Sequence, residues 1–544
     1  MGTAMFFSFM GSLIICMALI PALSASAWRL QFIDVPRERH AHGEPIAKVG
    51  GIAFAVATFA AVLVWAPKDT MILASLLGGL IILLFGMWDD RIGLTPGMKF
   101  AGQILAAAIV IGLAGVRLSS VPFWDEVEIP VWVAIPLTCV VIVGVTNAVN
   151  LSDGLDGLAG GMSLISFAGI AYLAYQAHES LLVLLMVSVL GGLLGFLRFN
   201  TYPARIFMGD AGSQFLGHYL AVAAILLTDS TRTVYSPLLA LFLWGVPLLD
   251  TVGVMVQRLR EGRSPFVGDR NHVHHKLLAV GLTHGQAVTT IYLVHGLMVS
   301  CAYLLRWQSD LVLAAVYLLF AATIFGLFIR MPRMAADQAD VPVSGPKPTE
   351  AEASASSGSV VADWALRVLS VTIPVYLIGF VALPREIPTD AGWIAAGLAT
   401  ALVAALGSRR ATDWAVRGAL YVGSTSLMYY GEVFPRTSGP AVSLAVDVAV
   451  AATAILVVLA IRCAGEARFQ TTPLDYLIVL LAGVMPFLPE VTVGDVSVGG
   501  LTAKLIVLFF AFELLLYMRD SAVPRLGWLA LAMLGGVMLR VWGL

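Results

Sequence analysis

Stretches of about 20 apolar residues recur along almost the whole of this chain, and a polypeptide so built folds only with lipid as part of its solvent. Of its 544 residues, 59% are hydrophobic and 12% charged, where soluble domains carry about 25% charged residues. A water-soluble fold cannot hide that much apolar area, because every folded chain leaves a large surface facing its solvent. The expected class is an all-α polytopic membrane protein. Scanning with the spanning length predicts about eleven helices before Pro332, starting near Met5, Gly51, Met71, Met98, Val131, Gly161, Leu181, Gly212, Pro237, Ala287 and Asp310, and about seven after Trp364. The segment Ser24–Ala27 looks like a small-residue cleavage site, but no positive charge precedes the first apolar run, so that run is expected to stay as the first spanning helix.

Positive charge sets the orientation. With the N-terminus outside, the loops facing the cytoplasm carry Arg29, Arg37, Arg39 and Lys48, then Arg91 and Lys99, then Arg198 and Arg205, and finally Arg258, Arg260, Arg263, Arg270 and Lys276. An error of one span would invert the pattern. Between the two sets of spans the composition turns to Ala, Ser, Pro and acidic residues, too polar to bury itself. The expected organisation is a membrane domain over 1–332, a flexible cytoplasmic linker over 333–362 and a second membrane domain over 363–544. Cys16, Cys139, Cys301 and Cys463 lie singly in apolar runs, with no metal-ligand or disulfide spacing. The net charge of -2 gives no ground to expect a nucleic-acid partner.

Charged and polar groups at the ends of spans are costly and therefore informative. Four clusters fall on the side assigned to the cytoplasm. Asp89-Asp90 closes the third span; the plain reading is a solvated helix end paired with Arg91, the functional one a carboxylate pair needing a cation. Asn147, Asn150, Asp153 and Asp156 recur every third residue, a spacing that puts all four on one face of a helical turn; an ordinary polar turn is the competing reading. Asp210, in Phe207-Met208-Gly209-Asp210, suits a helix cap or a ligand for Mg²⁺ about equally. The long basic loop joins Arg263, Asp269, Arg270 and Asn271 to His272, His274 and His275. Its arginines disfavour a zinc site and favour phosphate oxygens. Acidic loops for a divalent cation and a basic loop for phosphates together describe a site for a metal-bound diphosphate at a membrane surface.

As a set and in this order, Asp89-Asp90, Asn147-x-x-Asn150-x-x-Asp153-Gly154-Leu155-Asp156-Gly157, Phe207-Met208-Gly209-Asp210 and His272-x-His274-His275 resemble the motifs of the polyprenyl-phosphate N-acetylhexosamine-1-phosphate transferases. The resemblance covers about residues 5–330. The interrupted histidine motif looks like the bacterial undecaprenyl-phosphate N-acetylglucosamine-1-phosphate branch rather than the phospho-N-acetylmuramoyl-pentapeptide branch, which remains the alternative. The resemblance implies a UDP-sugar and undecaprenyl phosphate as substrates, Mg²⁺ (with Mn²⁺ as a substitute) as cofactor, and a homodimer in the bacterial inner membrane. It also implies a first step in O-antigen, teichoic acid or similar surface-glycan synthesis. Carried over residue by residue, it makes Asp210 and Asp153 metal ligands. Asp89 and Asp90 become orienting groups for the lipid phosphate, and Asn147 and Asn150 organisers of the diphosphate. Asp156 and Phe207 become uracil contacts, and Lys48, Arg263, His272, His274 and His275 phosphate or sugar contacts. The implied chemistry is direct attack by the lipid phosphate, with a two-step route through an aspartyl phosphate as the runner-up.

Two other classes compete. A multi-pass transporter would place its polar groups near the bilayer midplane and show repeats, and here they sit at helix ends without a repeat. A CDP-alcohol phosphotransferase would carry an Ala-Arg after its Asp-Gly, which Asp153 to Gly160 lacks.

Overall fold

A computed structural model of the chain describes residues 2–34, 45–264, 272–339, 351–382, 384–406, 409–433, 440–463, 492–493, 496–518 and 522–543. Contacts divide it into two units, the first built on Met1–Val343 and the second on Ser344–Thr471 and Ile478–Leu544. Eleven described helices across both units are long and apolar enough to cross a membrane.

The first unit runs α1 (Gly2–Leu30), a short antiparallel pair β1 (Ile33–Asp34) and β2 (Ile46–Ala47), α2 (Gly50–Trp65), α3 (Thr70–Ile92), α4 (Pro96–Ala114), α5 (Val131–Leu151), α6 (Leu158–Gln176), α7 (Ser180–Asn200), α8 (Gly209–Leu227), α9 (Leu239–Arg260), the short α10 (Val273–Ala279), α11 (His284–Leu304) and α12 (Asp310–Ala339). Each long helix begins within three residues of the position expected from the apolar runs. Contacts between helix ends bring the ends of α3, α5, α7 and α9 and the starts of α4, α6, α8 and α11 together: Asp89 with Lys99, Asn150 with Asp210, Asn200 with Gly157, Gln257 with Lys276 and His284 with Asp156. Every motif residue is on or beside one of these ends.

Helix α8 is the core. All of its residues from Ala211 to Leu227 are buried, and it packs against α2, α3, α5 and α6. A helix screened from lipid on all sides tolerates polar groups that would be costly on a lipid face, and α8 carries Ser213, Gln214 and His218.

Helix α9 is broken at Gly245 (φ 43°, ψ -127°), two residues before Pro247. The freed backbone groups are met by α6 and α11. Val246 N donates to His295 Nδ1 at 3.3 Å, His295 Nε2 lies 2.8 Å from Ser166 Oγ, and Ser166 Oγ donates to Leu243 O at 2.7 Å. The hydroxyl has one proton and it goes to the carbonyl, so the imidazole must be the neutral Nε2–H tautomer. His295 is fully buried. Replacing it with Leu orphans the Val246 N–H and removes a donor from Ser166. We expect a loss of about 1–3 kcal/mol, read as a lower unfolding temperature in detergent; an unchanged midpoint would rule this lock out.

In the second unit the described residues hold six helices: Ala351–Ala382, Thr389–Ala405, Arg409–Val433, Pro440–Cys463, Val498–Met518 and Ala522–Trp542. Residues 464–491 of the expected seven-span region lie outside the described residues. Lys504 reaches from its apolar helix to Glu432 and, at 2.6 Å, to Asp447, so three helices share one ion group. The segment expected as a structureless linker is helical up to Ala339 and from Ala351 onward, with 340–350 outside the described residues.

Candidate active site

The site is organised by the N-terminus of α8. Its exposed backbone donors are capped from another helix: Asp90, at the end of α3, accepts from Asp210 N at 2.9 Å and from Ala211 N at 3.0 Å. The sequence allowed Asp210 itself to be the cap; the structure gives that task to Asp90 and leaves the Asp210 side chain for other partners. Gly209 (φ 69°) makes this possible, because a Cβ there would stand 2.4 Å from Asp90 Oδ2.

Asp89 points elsewhere. Its Oδ1 accepts from Leu94 N at 2.7 Å and its Oδ2 pairs with Lys99 Nζ. Arg91, the partner of this pair in the plain reading of a solvated helix end, is exposed, and the cation beside Asp89 is Lys99. Lys99 Nζ also lies 3.6 Å from Asp210 Oδ2. The Asp89 side chain is 3% exposed, whereas Asp210 and Lys99 keep 33% and 35%. Of these three, Asp210 and Lys99 can therefore meet a ligand directly, with Asp89 behind them. Asp210 Oδ1 accepts from Asn150 Nδ2 at 2.6 Å; the same amide donates to Ser213 Oγ at 2.9 Å, which donates onward to Gly209 O.

Lys48 arrives by backbone pairing. Phe207 N donates to Ala47 O, and Gly50 N to Phe207 O, which ties the segment around Lys48 to the segment before α8. Lys48 Nζ lies 3.2 Å from Asp34 Oδ1 and is near enough to act electrostatically on Asp210, Asp90 and Asp153. The Phe207 ring is half-buried.

The three-residue spacing of Asn147, Asn150, Asp153 and Asp156 does not continue as one helical face. Helix α5 stops at Leu151, where Ser and Asp side chains compete for the backbone and Gly154 and Gly157 (φ 79°) relax it. Asn147 turns to Gln103 of α4, donating at 2.7 Å, and Gln103 in turn donates to Gln214 of α8. Asp156 accepts from Ala204 N at 2.9 Å and so clamps two loops together. Asp153 is exposed at the rim. Desolvation, then the charges of Asp210, Asp90 and Asp156, raise its carboxyl above the ordinary carboxylate range, with Lys48 opposing. Because it is exposed, the neighbouring negative charges weigh more here than burial does.

The basic loop is described up to Ser264 and from His272; Asp269, Arg270 and Asn271 lie outside the described residues. Arg263 is exposed and paired with Glu261. His272 and His274 are buried with parallel rings 5.9 Å apart, and His275 lies 4.2 Å from His274. Burial, then His275 and His272, push the His274 imidazole down to about 3. That neutral ring lies on Gly154: a Cβ there would be 2.2 Å from His274 Nε2. Gly154→Ala is therefore expected to push the histidine helix off the 152–157 loop and slow any reaction at the site about tenfold or more. Unaltered turnover in that variant would mean the contact is not used.

Lys99 and Asp250, the partner of His272, were not among the expected site residues. Lys99 has a sequence signal: it is a cation in the first turn of a spanning helix, where the helix dipole disfavours one. Asp250, inside an apolar span, had the same kind of signal. The cluster sets five carboxylates (Asp89, Asp90, Asp153, Asp156 and Asp210) against Lys48 and Lys99. Among the described residues no three acidic, histidine or cysteine side chains form a ready metal cage. Hard oxygen donors with an excess of negative charge do fit Mg²⁺, which takes one or two carboxylates and fills its shell with water and substrate phosphate.

A family model described as glycosyl transferase family 4 matches residues 72–228. A Bacillus subtilis protein named probable undecaprenyl-phosphate N-acetylglucosaminyl 1-phosphate transferase is 35% identical over 321 residues, covering 58% of this chain and 89% of its own length. The decaprenyl-phosphate N-acetylglucosaminephosphotransferase of Mycobacterium leprae is 33% identical, over 50% of this chain and 76% of its own. The undecaprenyl-phosphate alpha-N-acetylglucosaminyl 1-phosphate transferase of Escherichia coli K12 is 29% identical, over 52% and 78%.

Proposed function

Because the chain belongs to glycosyl transferase family 4, we propose that it transfers N-acetylglucosamine-1-phosphate from UDP-N-acetylglucosamine to undecaprenyl phosphate and releases UMP. The observation that carries this reading is the convergence of Asp210, Lys99, Asn150, Lys48 and Asp153 around the N-terminus of α8. A helix N-terminus with lysines on one side and carboxylates on the other suits a diphosphate that arrives with its cation.

In the proposed reaction an oxygen of the lipid phosphate attacks the β-phosphorus of the UDP-sugar. The new P–O bond forms as the bond from that phosphorus to the bridging oxygen breaks, and UMP keeps the electron pair. A phosphate monoester is largely ionised near neutrality, so the attacking oxygen needs no strong base. Both oxygens of Asp89 are engaged by Leu94 N and Lys99, and both of Asp90 by backbone donors. They act through Lys99 and through the placement of Asp210 rather than as the nucleophile of a two-step route. Lys99 and Lys48 neutralise the diphosphate and the charge growing on UMP. Asp210 and Asp153 would hold Mg²⁺, with Mn²⁺ as a substitute. The cation, when bound, supplies charge neutralisation at the phosphate oxygens. His272, His274, His275 and Arg263 close the site from the basic loop, and Phe207 and Asp156 border the base. Positive charge in the loops at this end supports a site that faces the cytoplasm of a bacterial inner membrane, with its groups carried by residues 1–332.

The test is UMP release by the purified protein. We expect release from UDP-N-acetylglucosamine only when polyprenyl phosphate and a divalent cation are both supplied. Release from a CDP-activated donor instead, or none with either, would defeat the proposal.

A further inference from the structure

Asp250 lies on α9, five residues past the break at Gly245, and is 2% exposed. A carboxylate buried in a spanning helix is costly and calls for a partner that explains it. Its two oxygens go to one place: Oδ2 is 2.8 Å from His272 Nδ1, and Oδ1 accepts from Val273 N at 2.9 Å. The second bond fixes the backbone on which His272 stands, and the first fixes its ring. His272 is in turn parallel to His274, whose Nε2 occupies the space a Gly154 side chain would need, beside Asp153.

We infer that Asp250 is a positioning residue for the transfer reaction, acting through His272. This rests on the function proposed above. An ionised carboxylate only accepts, so the proton between the two groups belongs to Nδ1. The ring is then left to act on substrate through Nε2, and as an imidazolium it gives Nε2–H to a phosphate oxygen while Asp250 balances its charge. The break in α9, held by His295, is what aims the lower half of the helix so that Asp250 meets the loop.

Asp250→Asn keeps the shape and can still accept from Val273 N, but its amide then donates to Nδ1 and forces the neutral Nε2–H ring. The experiment combines turnover of Asp250→Asn, His272→Gln and the double variant with ¹⁵N spectra of the histidine side chains of the whole protein in detergent. We expect Asp250→Asn to lower kcat about tenfold or more with its thermal midpoint within about 2 °C of wild type. Its His272 signal should move from Nδ1–H to Nε2–H. The double variant should be no slower than His272→Gln, since a residue acting only through another adds nothing once that other is gone. Fully additive losses, unchanged turnover in Asp250→Asn, or a wild-type His272 that already carries its proton on Nε2 alone would overturn the inference. The wild-type spectrum decides even if a variant does not fold. A wild-type protein that releases no UMP sinks the transfer reading, and the spectrum still judges the pairing.

Discussion

Asp210→Asn is expected to lower the rate of UMP release by about 10³-fold, near 4 kcal/mol of transition-state stabilisation, and to leave the unfolding temperature almost where it was. The large first effect follows from charge. Asp210 is the carboxylate that is both central to the cluster and one-third exposed, with Asn150 on one oxygen and Lys99 on the other. An amide keeps the Asn150 bond but removes the charge that would hold a cation against the diphosphate. The small second effect follows from who caps α8. That work is done by Asp90 on the backbone of residues 210 and 211, and the substitution does not touch it. A variant that turns over within about tenfold of wild type would remove Asp210 from the chemistry. One that unfolds early would show instead that its role is structural.

Lys99→Met is expected to harm both stability and turnover. It leaves the Asp89 carboxylate, 3% exposed, with Leu94 N donating to Oδ1, the carboxylate of Asp210 nearby and no countercharge on Oδ2. Stranding one member of a fully buried pair costs about 3–5 kcal/mol; the lysine here is 35% exposed, so about 2 kcal/mol is the better expectation. Turnover should fall about 10²-fold or more, because the same ammonium faces Asp210 and the incoming phosphates. Asp89→Asn added to Lys99→Met separates the two effects. The neutral pair should regain most of the thermal midpoint and none of the activity. Recovery of activity with stability would mean that Lys99 only supports the fold.

The long helices of the first unit were legible because one local property, a run of apolar residues matched to bilayer thickness, decides them. Their starts fall within three residues of expectation, even at α8, whose polar residues lower its apparent hydropathy. Motif order and the inside-positive loops also placed Asp89, Asn150, Asp153 and Asp210 at one end of the bundle, and there the structure brings them together. Individual roles were less legible. Asp89 and Asp90 are adjacent in sequence and opposite in task, one held by Lys99 and the other capping α8, because successive helical residues point about 100° apart. The even spacing from Asn147 to Asp156 suggested one face, but the helix ends at Leu151 and the four side chains turn to Gln103, Asp210, the rim and Ala204.

The chain by itself determined that this is a bundle of spanning helices with its polar chemistry at one end, since hydropathy and loop charge act residue by residue and need no partner. Tertiary structure alone decided which carboxylate meets which cation, that Asp90 rather than Asp210 caps α8, and that Asp250 holds His272. Those pairings join residues 10 to 120 positions apart, and a contact across that separation depends on how helices are packed, which no local pattern records.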